Sequence, residues 1–476
     1  MDAINALIDT FNGWLYGFIL VGLLVAAGFY FTIRLQFLPT TLLREALLTL
    51  VRRSGKADGT MSSFQALMVS TASRVGTGNI IGVTAAILAG GPGAVFWMWV
   101  IAVFGGASAF VESTLAQMYK CRDSLGFYYG GPAYYIRKAL HAPVFGGVFA
   151  AFVILLYMGG FNALCSFNTT DFICNYARGV PHITVYVGLA LSALAGLVIL
   201  GGGRFISRVT QFLVPFMAGG YILLALFAMV VHARQLPDVF ASILAQAFDI
   251  HSAFGGFLGA AIMNGIKRGL YSNEAGVGSA PNAAASADVK HPANQGLAQF
   301  LSVFIDTILI CSATAFLVLC SGVDPAGYVA GADNTRYLQD CLCASFGSFG
   351  GVLLTCALVI FAYTTLVGNY FYAEQSVRYF YPMAHFDKKF MTIYRLVAIL
   401  VIFAGSQFKA AFAWNVSDLI MGIMALINIP VCIYLGKRAY RALWDYMIQR
   451  GEGKDPVFDP KKVLGEAAAE GMECWT

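Results

Sequence analysis

Long apolar runs alternate with short polar or charged segments along almost the whole chain. Eleven of these runs are bounded by charges or turn residues, and most are long enough to cross about 30 Å of hydrocarbon as a helix. The pattern therefore predicts an all-α integral membrane protein with about eleven transmembrane helices. The runs cover residues 12–33, 64–89, 95–118, 145–173, 183–201, 209–232, 254–275, 297–320, 349–377, 391–406 and 412–434.

The composition supports a lipid environment. Hydrophobic residues make up 58% of the chain and charged residues 12%, whereas a soluble domain has roughly 45–50% and about 25%. The first run is not a signal peptide, because Asp2 and Asp9 precede it and no lysine or arginine does. The net charge of +5 is small, and we expect the lipid bilayer and no nucleic acid as a partner.

The distribution of lysine and arginine predicts the orientation. With the N-terminus outside, 22 of these residues fall in inside loops and only four in outside loops. Such a bias is the positive-inside rule. We therefore expect a multi-pass protein of the plasma membrane, the bacterial inner membrane, with its N-terminus outside and its C-terminus in the cytoplasm. The four outside residues are Arg178, Arg234, Arg336 and Lys409.

Two spans carry glycine, asparagine and hydroxyl residues at mid-membrane, within residues 70–82 and 260–276. Non-helical backbone is tolerated at this depth only where it lines a protein cavity, so both helices are predicted to be broken at a binding site. The second of them is the fifth span after the first, and the two run in opposite directions. This is the layout of an inverted repeat. The alternative is that these glycines are notches for helix packing.

The predicted division of the chain follows from these breaks. An extra helix at 12–33 precedes a first repeat of five helices at 64–232. A second repeat occupies 254–434, and a cytoplasmic tail covers 435–476. Each repeat begins with its broken helix.

Three segments carry a resemblance to a known family. Gly90–Gly105 reads GGPGAVFWMWVIAVFG, Val75–Ile80 reads VGTGNI, and Arg268–Pro281 reads RGLYSNEAGVGSAP. They are similar to the motifs of the alanine/glycine:cation symporter family, and the resemblance covers nearly the whole chain. It implies a LeuT-type fold, with ten core helices in two inverted repeats. It also implies sodium-coupled symport of a small neutral amino acid, alanine or glycine. We expect a functional monomer that uses sodium as co-transported cation and no organic cofactor.

The resemblance implies a sodium site between core helices one and eight. In LeuT-type transporters one sodium lies beside the break of core helix one. The matching ligands here are backbone carbonyls and two threonine hydroxyls. Hydroxyls that bond back to their own helix are the alternative for these threonines. The expected sodium ligands are Ala72, Val75, Phe361, Thr364 and Thr365.

The substrate carboxylate is expected at backbone N–H groups beside the first break, with Asn79 steadying that loop or touching the substrate. Asn264 and Gly265 are expected at the second break, facing the amino group. Asn162 is either a substrate contact or a polar bond between helices. The expected substrate residues are Gly76, Thr77, Gly78, Asn79, Asn162, Asn264, Gly265 and Asn369.

Position 369 departs from the family pattern. Many members carry tryptophan four residues after the second threonine of core helix eight, whereas this chain has Asn369. A smaller, polar residue is expected to widen and wet the pocket. A larger neutral substrate such as glutamine therefore stays open beside alanine.

Ionisable residues inside membrane spans are costly and point to function. We expect the guanidinium of Arg74 to fill the place of a second cation and to pair with Asp306. Glu112 is the alternative partner, and the other reading has Arg74 reaching into an inward water cavity. Arg268 and Glu274 are expected to pair at the inner end of span 254–275.

Other classes of protein fit less well. A channel requires a polar face along a span, and no span has one. The six histidines form no motif with a carboxylate or nucleophile, and the ten cysteines show no paired metal spacing, so we expect no enzyme. A proton-coupled amino-acid carrier is the open alternative, with Asp306 or Glu112 as the proton site.

Overall fold

A computed structural model describes residues 2–36, 42–51, 60–177, 180–248, 259–384, 387–407 and 410–475. The start of the predicted span 254–275 lies outside these ranges. So do five of the residues in the charge count, which are Arg52, Arg53, Lys56, Arg178 and Lys409.

Each of the eleven predicted spans overlaps a helix of the structure. In chain order the helices are α1 (Asp2–Trp14, Leu15–Leu20 and Val21–Arg34, continuous), α2 (Leu43–Val51), α3 (Ser63–Arg74), α4 (Gly78–Gly82 and Val83–Gly90, continuous), α5 (Gly93–Met118), α6 (Pro132–Ala139), α7 (Pro143–Tyr176), α8 (Ile183–Ile199), α9 (Gly202–Val231), α10 (Leu236–Ala247), α11 (Ala260–Asn273), α12 (Pro281–Ala284), α13 (Ala293–Leu319), α14 (Asn334–Phe346), α15 (Ser348–Phe380), α16 (Lys388–Gly405), α17 (Ala410–Gly451), α18 (Pro460–Leu464) and α19 (Glu466–Ala469).

Seven of the described helices are long and apolar enough to cross a membrane, namely α1, α5, α7, α9, α13, α15 and α17. The helices α4, α8 and α10 are shorter but also apolar. The two short strands β1 (Cys121–Arg122) and β2 (Tyr128–Tyr129) form an antiparallel hairpin after α5. The last long apolar helix, α17, continues to Gly451, past residue 435, where the cytoplasmic tail is predicted to begin, and that boundary stays a prediction.

The first broken helix lies where the sequence predicts it. A capping box starts α3, because the Ser62 hydroxyl accepts from the Gln65 N–H while the Gln65 side chain accepts from the Ser62 N–H. The helix ends at Arg74, and Val75 leaves the helical region with φ −79° and ψ 88°. A π-helical turn at Gly78–Gly82 then begins α4.

The second break was predicted at the wrong place. α11 runs without interruption through Asn264 and Gly265 and ends at Asn273. A Cβ on Gly265 would lie 2.4 Å from the Ala94 carbonyl oxygen, so this glycine is a packing notch against α5. The chain leaves the helix at Glu274, and the glycines at 276 and 278, with φ of 83° and 86°, carry it to α12.

The two broken helices lie close together in the fold. α11 packs against both α4 and α5, while α3 packs against α9, α13 and α15. Among the described residues, four helices of 17 or more residues follow each break, namely α5, α7, α8 and α9 after the first and α13, α15, α16 and α17 after the second. The division into two repeats stays a prediction.

The segment after α17 folds back over the hairpin and the ends of the neighbouring helices. The Trp475 indole N–H donates to the Gln117 carbonyl at 2.9 Å, and the Phe458 N–H donates to the Lys290 carbonyl at 3.0 Å. Lys120, just after α5, is buried beneath this segment and donates to the Ala287 carbonyl at 3.0 Å. Burial lowers the pKa of Lys120 to about 7.

Candidate cation and substrate site

The first break releases backbone oxygens toward α15. The last carbonyls of a helix have no partner within it, and here they include those of Ala72 and, beyond the end, Val75. The Thr365 hydroxyl lies 3.2 Å from the Ala72 oxygen and 3.4 Å from the Val75 oxygen. A Cβ on Gly76 would lie 2.2 Å from the same hydroxyl. The absence of a side chain at position 76 therefore allows α15 to approach this closely.

The other two predicted ligands lie on the adjacent turn of α15. The Thr364 hydroxyl donates to the Phe361 carbonyl at 2.9 Å and also lies 3.2 Å from the Ile360 carbonyl and the Met217 sulfur. Thr364 is thus bonded back to its own helix, the alternative that the sequence left open. The structure brings the Thr365 hydroxyl into contact with the Ala72 and Val75 carbonyls. The Thr364 hydroxyl contacts the Phe361 carbonyl instead.

This group of oxygens is buried and uncharged. All five residues are at most 7% exposed. Carbonyl and hydroxyl oxygens from an unwound membrane helix are the usual ligands of an alkali cation in transporters. Within the described ranges there is no cluster of three His, Cys, Asp or Glu residues that could hold another metal.

A small cavity of about 10 Å³ adjoins the oxygens. That volume is about the minimum for one water molecule, so an amino acid requires the surrounding helices to rearrange. Aromatic rings of Phe161 and Tyr271, 5.0 Å apart, form part of the wall, and Trp414 lies 5.0 Å beyond Tyr271. The rest of the lining includes Gly76, Thr77, Gly78 and Glu274.

Asn79 steadies the loop at the first break. Its side-chain oxygen accepts from the Gly76 N–H at 2.9 Å, and its amide nitrogen donates to Asp306 at 2.6 Å and to Ser272 at 3.0 Å. The Gly76 N–H is therefore engaged. Thr77 and Gly78 lie at the start of α4, and the first N–H groups of a helix have no acceptor within that helix.

Asp306 is surrounded by hydrogen-bond donors rather than by a cation. Besides Asn79, the hydroxyls of Ser272 and Thr307 donate to its carboxylate. The predicted ion pair with Arg74 was wrong, because the guanidinium instead donates to the Gln299 side chain at 3.2 Å. The cluster joins α4, α11 and α13 directly behind the first break.

Arg74 remains buried without a paired carboxylate. It is 3% exposed, and its Nε and Nη2 groups have no hydrogen-bond partner among the described residues. Glu112, the alternative partner, accepts from Asn428 at 2.8 Å. Arg74 borders the 10 Å³ cavity, and the alternative that its guanidinium reaches into an inward water cavity stays a prediction.

The predicted pair between Arg268 and Glu274 was wrong as well. Arg268 lies 3.4 Å from Asp418 of α17, and Lys267 lies 2.7 Å from the same carboxylate. The guanidinium also lies over the Trp414 ring, 4.3 Å from its centroid. The sequence analysis missed Asp418, although an acid inside an apolar run was a signal that could have identified it.

Five of the eight predicted substrate residues do not line the cavity, namely Asn79, Asn162, Asn264, Gly265 and Asn369. Asn264 is on the exposed side of α11 and bonds back to the Ala260 carbonyl at 2.9 Å, and Gly265 packs against α5. Asn369 donates to Asn162 at 3.0 Å.

Asn162 and Asn369 are connected to the cavity by hydrogen bonds through one residue, Ser73. The Ser73 hydroxyl, which borders the cavity, donates to the Asn369 side-chain oxygen at 2.6 Å. The Asn162 amide nitrogen is buried and has no hydrogen-bond partner in the described part of the chain. These side chains join α3, α7 and α15 by a polar chain.

Comparison with known proteins decides the family. The profile described as "Sodium:alanine symporter family" matches residues 1–460. The chain belongs to this family. It is 41% identical to the amino-acid carrier protein AlsT of Bacillus subtilis (strain 168) over 98% of each chain. It is 36% identical to the sodium/alanine symporter AgcS of Methanococcus maripaludis, over 90% of this chain and 94% of that one.

A solved structure is similar to this member of the sodium:alanine symporter family in fold. The crystal structure of MhsT in complex with L-phenylalanine matches with a TM-score of 0.54, over 88% of this chain and 93% of that chain, at 14% identity. This likeness confirms the LeuT-type fold, and family membership confirms sodium-coupled amino-acid symport as the function class.

Proposed function

We propose that this symporter carries one small neutral amino acid, alanine or glycine, with sodium into the cell by alternating access. The convergence of the Thr365 hydroxyl on the Ala72 and Val75 carbonyls, 3.2 and 3.4 Å away, carries the proposal. These atoms lie beside a cavity that is also lined by Thr77 and Gly78 at the start of α4. A cation and an anionic carboxylate therefore have adjacent places at one break.

Each part of the first break has a role in this proposal. Sodium binds the oxygens of Ala72, Val75, Phe361, Thr364 and Thr365. The substrate carboxylate binds the N–H groups of Thr77 and Gly78, where the positive end of the α4 dipole favours an anion. Asn79 holds the Gly76 loop in shape.

Uptake into proteoliposomes tests the coupling ion. Sodium and proton gradients are imposed separately, and labelled alanine uptake is measured with each. We expect the sodium gradient alone to drive accumulation above equilibrium. Accumulation driven by the proton gradient alone contradicts sodium coupling and assigns the coupling to the buried carboxylates. Asp306 favours this second candidate, since it forms no ion pair among the described residues and has hydroxyl and amide neighbours.

A larger neutral amino acid such as glutamine is the second candidate substrate. The buried Asn162 amide nitrogen, which has no hydrogen-bond partner among the described residues, supports it, because the carbonyl of a glutamine side chain can accept that bond. The probable sodium/glutamine symporter GlnT of Bacillus subtilis (strain 168) is 42% identical to this chain, over 98% of this chain and 94% of its own. Competition of unlabelled alanine, glycine and glutamine against labelled alanine ranks the substrates.

The proposal also includes the oligomeric state, the membrane and the orientation of the chain in it. The protein is a monomer in the plasma membrane, the bacterial inner membrane, with its N-terminus outside. The hairpin and the segment after α17 then face the cytoplasm, in agreement with the three lysines of that segment, Lys454, Lys461 and Lys462. Labelling of single introduced cysteines from each side of intact cells tests this orientation.

A further inference from the structure

Three carboxylates and one guanidinium are buried around the two breaks. Glu112, Glu274 and Asp306 are each at most 2% exposed and Arg74 is 3% exposed. The charge of Arg74 acts on all three carboxylates. Buried charges inside a membrane protein are costly unless they are paired. One guanidinium balances only one carboxylate, so each of the other two has to be neutralised by a proton or by a further cation.

Glu274 differs from the other two carboxylates in its position. Of the three, it is the residue that lines the 10 Å³ cavity in the described structure. It lies at the end of α11 with φ 52°, in the left-handed region. A residue with a side chain is strained there, and such strain persists mainly where surrounding structure or function requires it. The break thus holds an acidic side chain at the wall of the substrate cavity.

The hydrogen bonds of Glu274 do not by themselves require a charge. The Ser279 hydroxyl donates to its Oε2 atom at 2.6 Å and so ties the two ends of the second break together. A glutamine in the same place accepts that bond without burying a charge. The negative end of the α11 dipole also points into the break and favours a cation over a further anion. A cationic partner accounts for the carboxylate, whereas the bond to Ser279 alone does not.

The opposite wall of the cavity has the complementary groups. Thr77 and Gly78 line the same cavity at the start of α4, so the cavity lies between the N-terminus of a helix and a carboxylate. We propose that Glu274 binds the α-ammonium group of the transported amino acid and selects it over a hydroxy acid of the same shape. The assignment rests on the proposed function, which places the substrate in this cavity.

Competition by a deaminated analogue tests the assignment. Alanine and 2-hydroxypropionate share the carboxylate and the methyl group and differ in ammonium against hydroxyl. Their inhibition of sodium-driven alanine uptake gives a preference ratio for each variant. We expect Glu274→Gln to lower the preference for alanine by about 30-fold or more, because removal of one partner of a buried charge pair costs at least that much.

The matched control is Glu112→Gln. Glu112 is equally buried and also within the field of Arg74, but it is not part of the cavity wall. Its preference ratio is expected to stay that of the unmodified protein. If both inhibitors weaken by the same factor in Glu274→Gln, the ammonium assignment is overturned, because a merely structural role affects both alike.

A shorter acid decides the question if Glu274→Gln does not fold. Glu274→Asp keeps the negative charge but moves it away from the cavity by the length of one methylene group. A lower preference for alanine over 2-hydroxypropionate in this variant supports the assignment. An unchanged ratio with unchanged affinities overturns it. Failure of the unmodified protein to transport any amino acid overturns the proposed function and this assignment with it. Normal transport with an unaltered ratio in the variants overturns the assignment alone.

Discussion

The two helix breaks of this symporter are built from different chemistry. The first, between α3 and α4, presents uncharged oxygens and N–H groups, and Gly76 brings Thr365 of α15 against it. The second, between α11 and α12, turns on Gly276 and Gly278 and contains the buried acid Glu274. The uncharged oxygens of the first break can bind and release a cation without leaving an unpaired carboxylate behind. The charged break instead has to be matched by a charge that arrives with the substrate.

The largest expected effect comes from filling the first break. In Gly76→Ala the added Cβ would lie 2.2 Å from the Thr365 hydroxyl and 3.1 Å from its carbon atoms. Because α15 must retreat, we expect sodium-driven uptake to be lost while the protein still inserts. Gly82→Ala is the control, since its Cβ has no neighbour closer than 3.9 Å. Normal sodium dependence of Gly76→Ala would show that α15 does not hold the ion here.

Removal of one ligand should weaken the same site without closing it. Thr365→Ala is expected to raise the sodium concentration for half-maximal uptake by about 5- to 150-fold, since a buried hydrogen-bonding group is worth about 1–3 kcal/mol. Thr355→Ala, on the same helix but bonded only to the Gly351 carbonyl, is the control. An identical sodium dependence in Thr365→Ala and the unmodified protein would contradict the site.

The polar chain beside the first break should affect substrate choice modestly. Asn162→Ala removes two groups. One is the amide N–H donor that has no partner among the described residues, and the other is the side-chain oxygen that accepts from Asn369. We expect inhibition by glutamine to weaken several-fold relative to inhibition by alanine, because one net hydrogen bond contributes about 1 kcal/mol. Competition assays measure the ratio, and Asn175→Ala, an outlying asparagine of the same helix bonded to Thr335, is the control. An unchanged ranking would remove Asn162 from the substrate pocket.

The smallest expected effect on transport concerns Lys120, a buried lysine outside both breaks that contacts the loop after the second break. Burial lowers the pKa of Lys120 from 10.5 to about 7, so between these pH values only the unfolded chain holds the proton. Stability should therefore rise with pH from about 7 to about 10.5 and change little below 7. Lys120→Met should flatten this rise in thermal melting, whereas the exposed control Lys454→Met should keep it. Equal slopes in all three proteins would contradict the burial of an uncharged amine.

The comparison also shows which features could be predicted from sequence. The first break was predicted because glycine and asparagine at 76, 78 and 79 form one local pattern in an apolar run, whereas the carbonyls beside Thr365 were implied by the family resemblance. The second break was misplaced, because its span has two such patterns. Only the close approach of Ala94 to Gly265 identifies the earlier one as a packing notch.

The partners of the buried charges were harder to predict. The pattern of a span gives the depth of a residue in the membrane but not the neighbour that it faces. Arg74 has three carboxylates in its field and bonds to none of them directly, and Arg268 meets Asp418 on a helix 150 positions later. Such pairs depend on how helices distant in sequence pack together.

The contact between Gly76 and Thr365 also restricts the order in which this site can change during evolution. The threonine hydroxyl occupies the volume that any side chain at position 76 would need. A lineage that abandons sodium therefore has to lose the hydroxyl first, and only then is position 76 free to vary. The reverse order passes through a protein in which both helices are displaced. Relatives with a residue other than glycine at position 76 are thus expected to have a smaller residue at 365, and this pairing can be read from sequences alone.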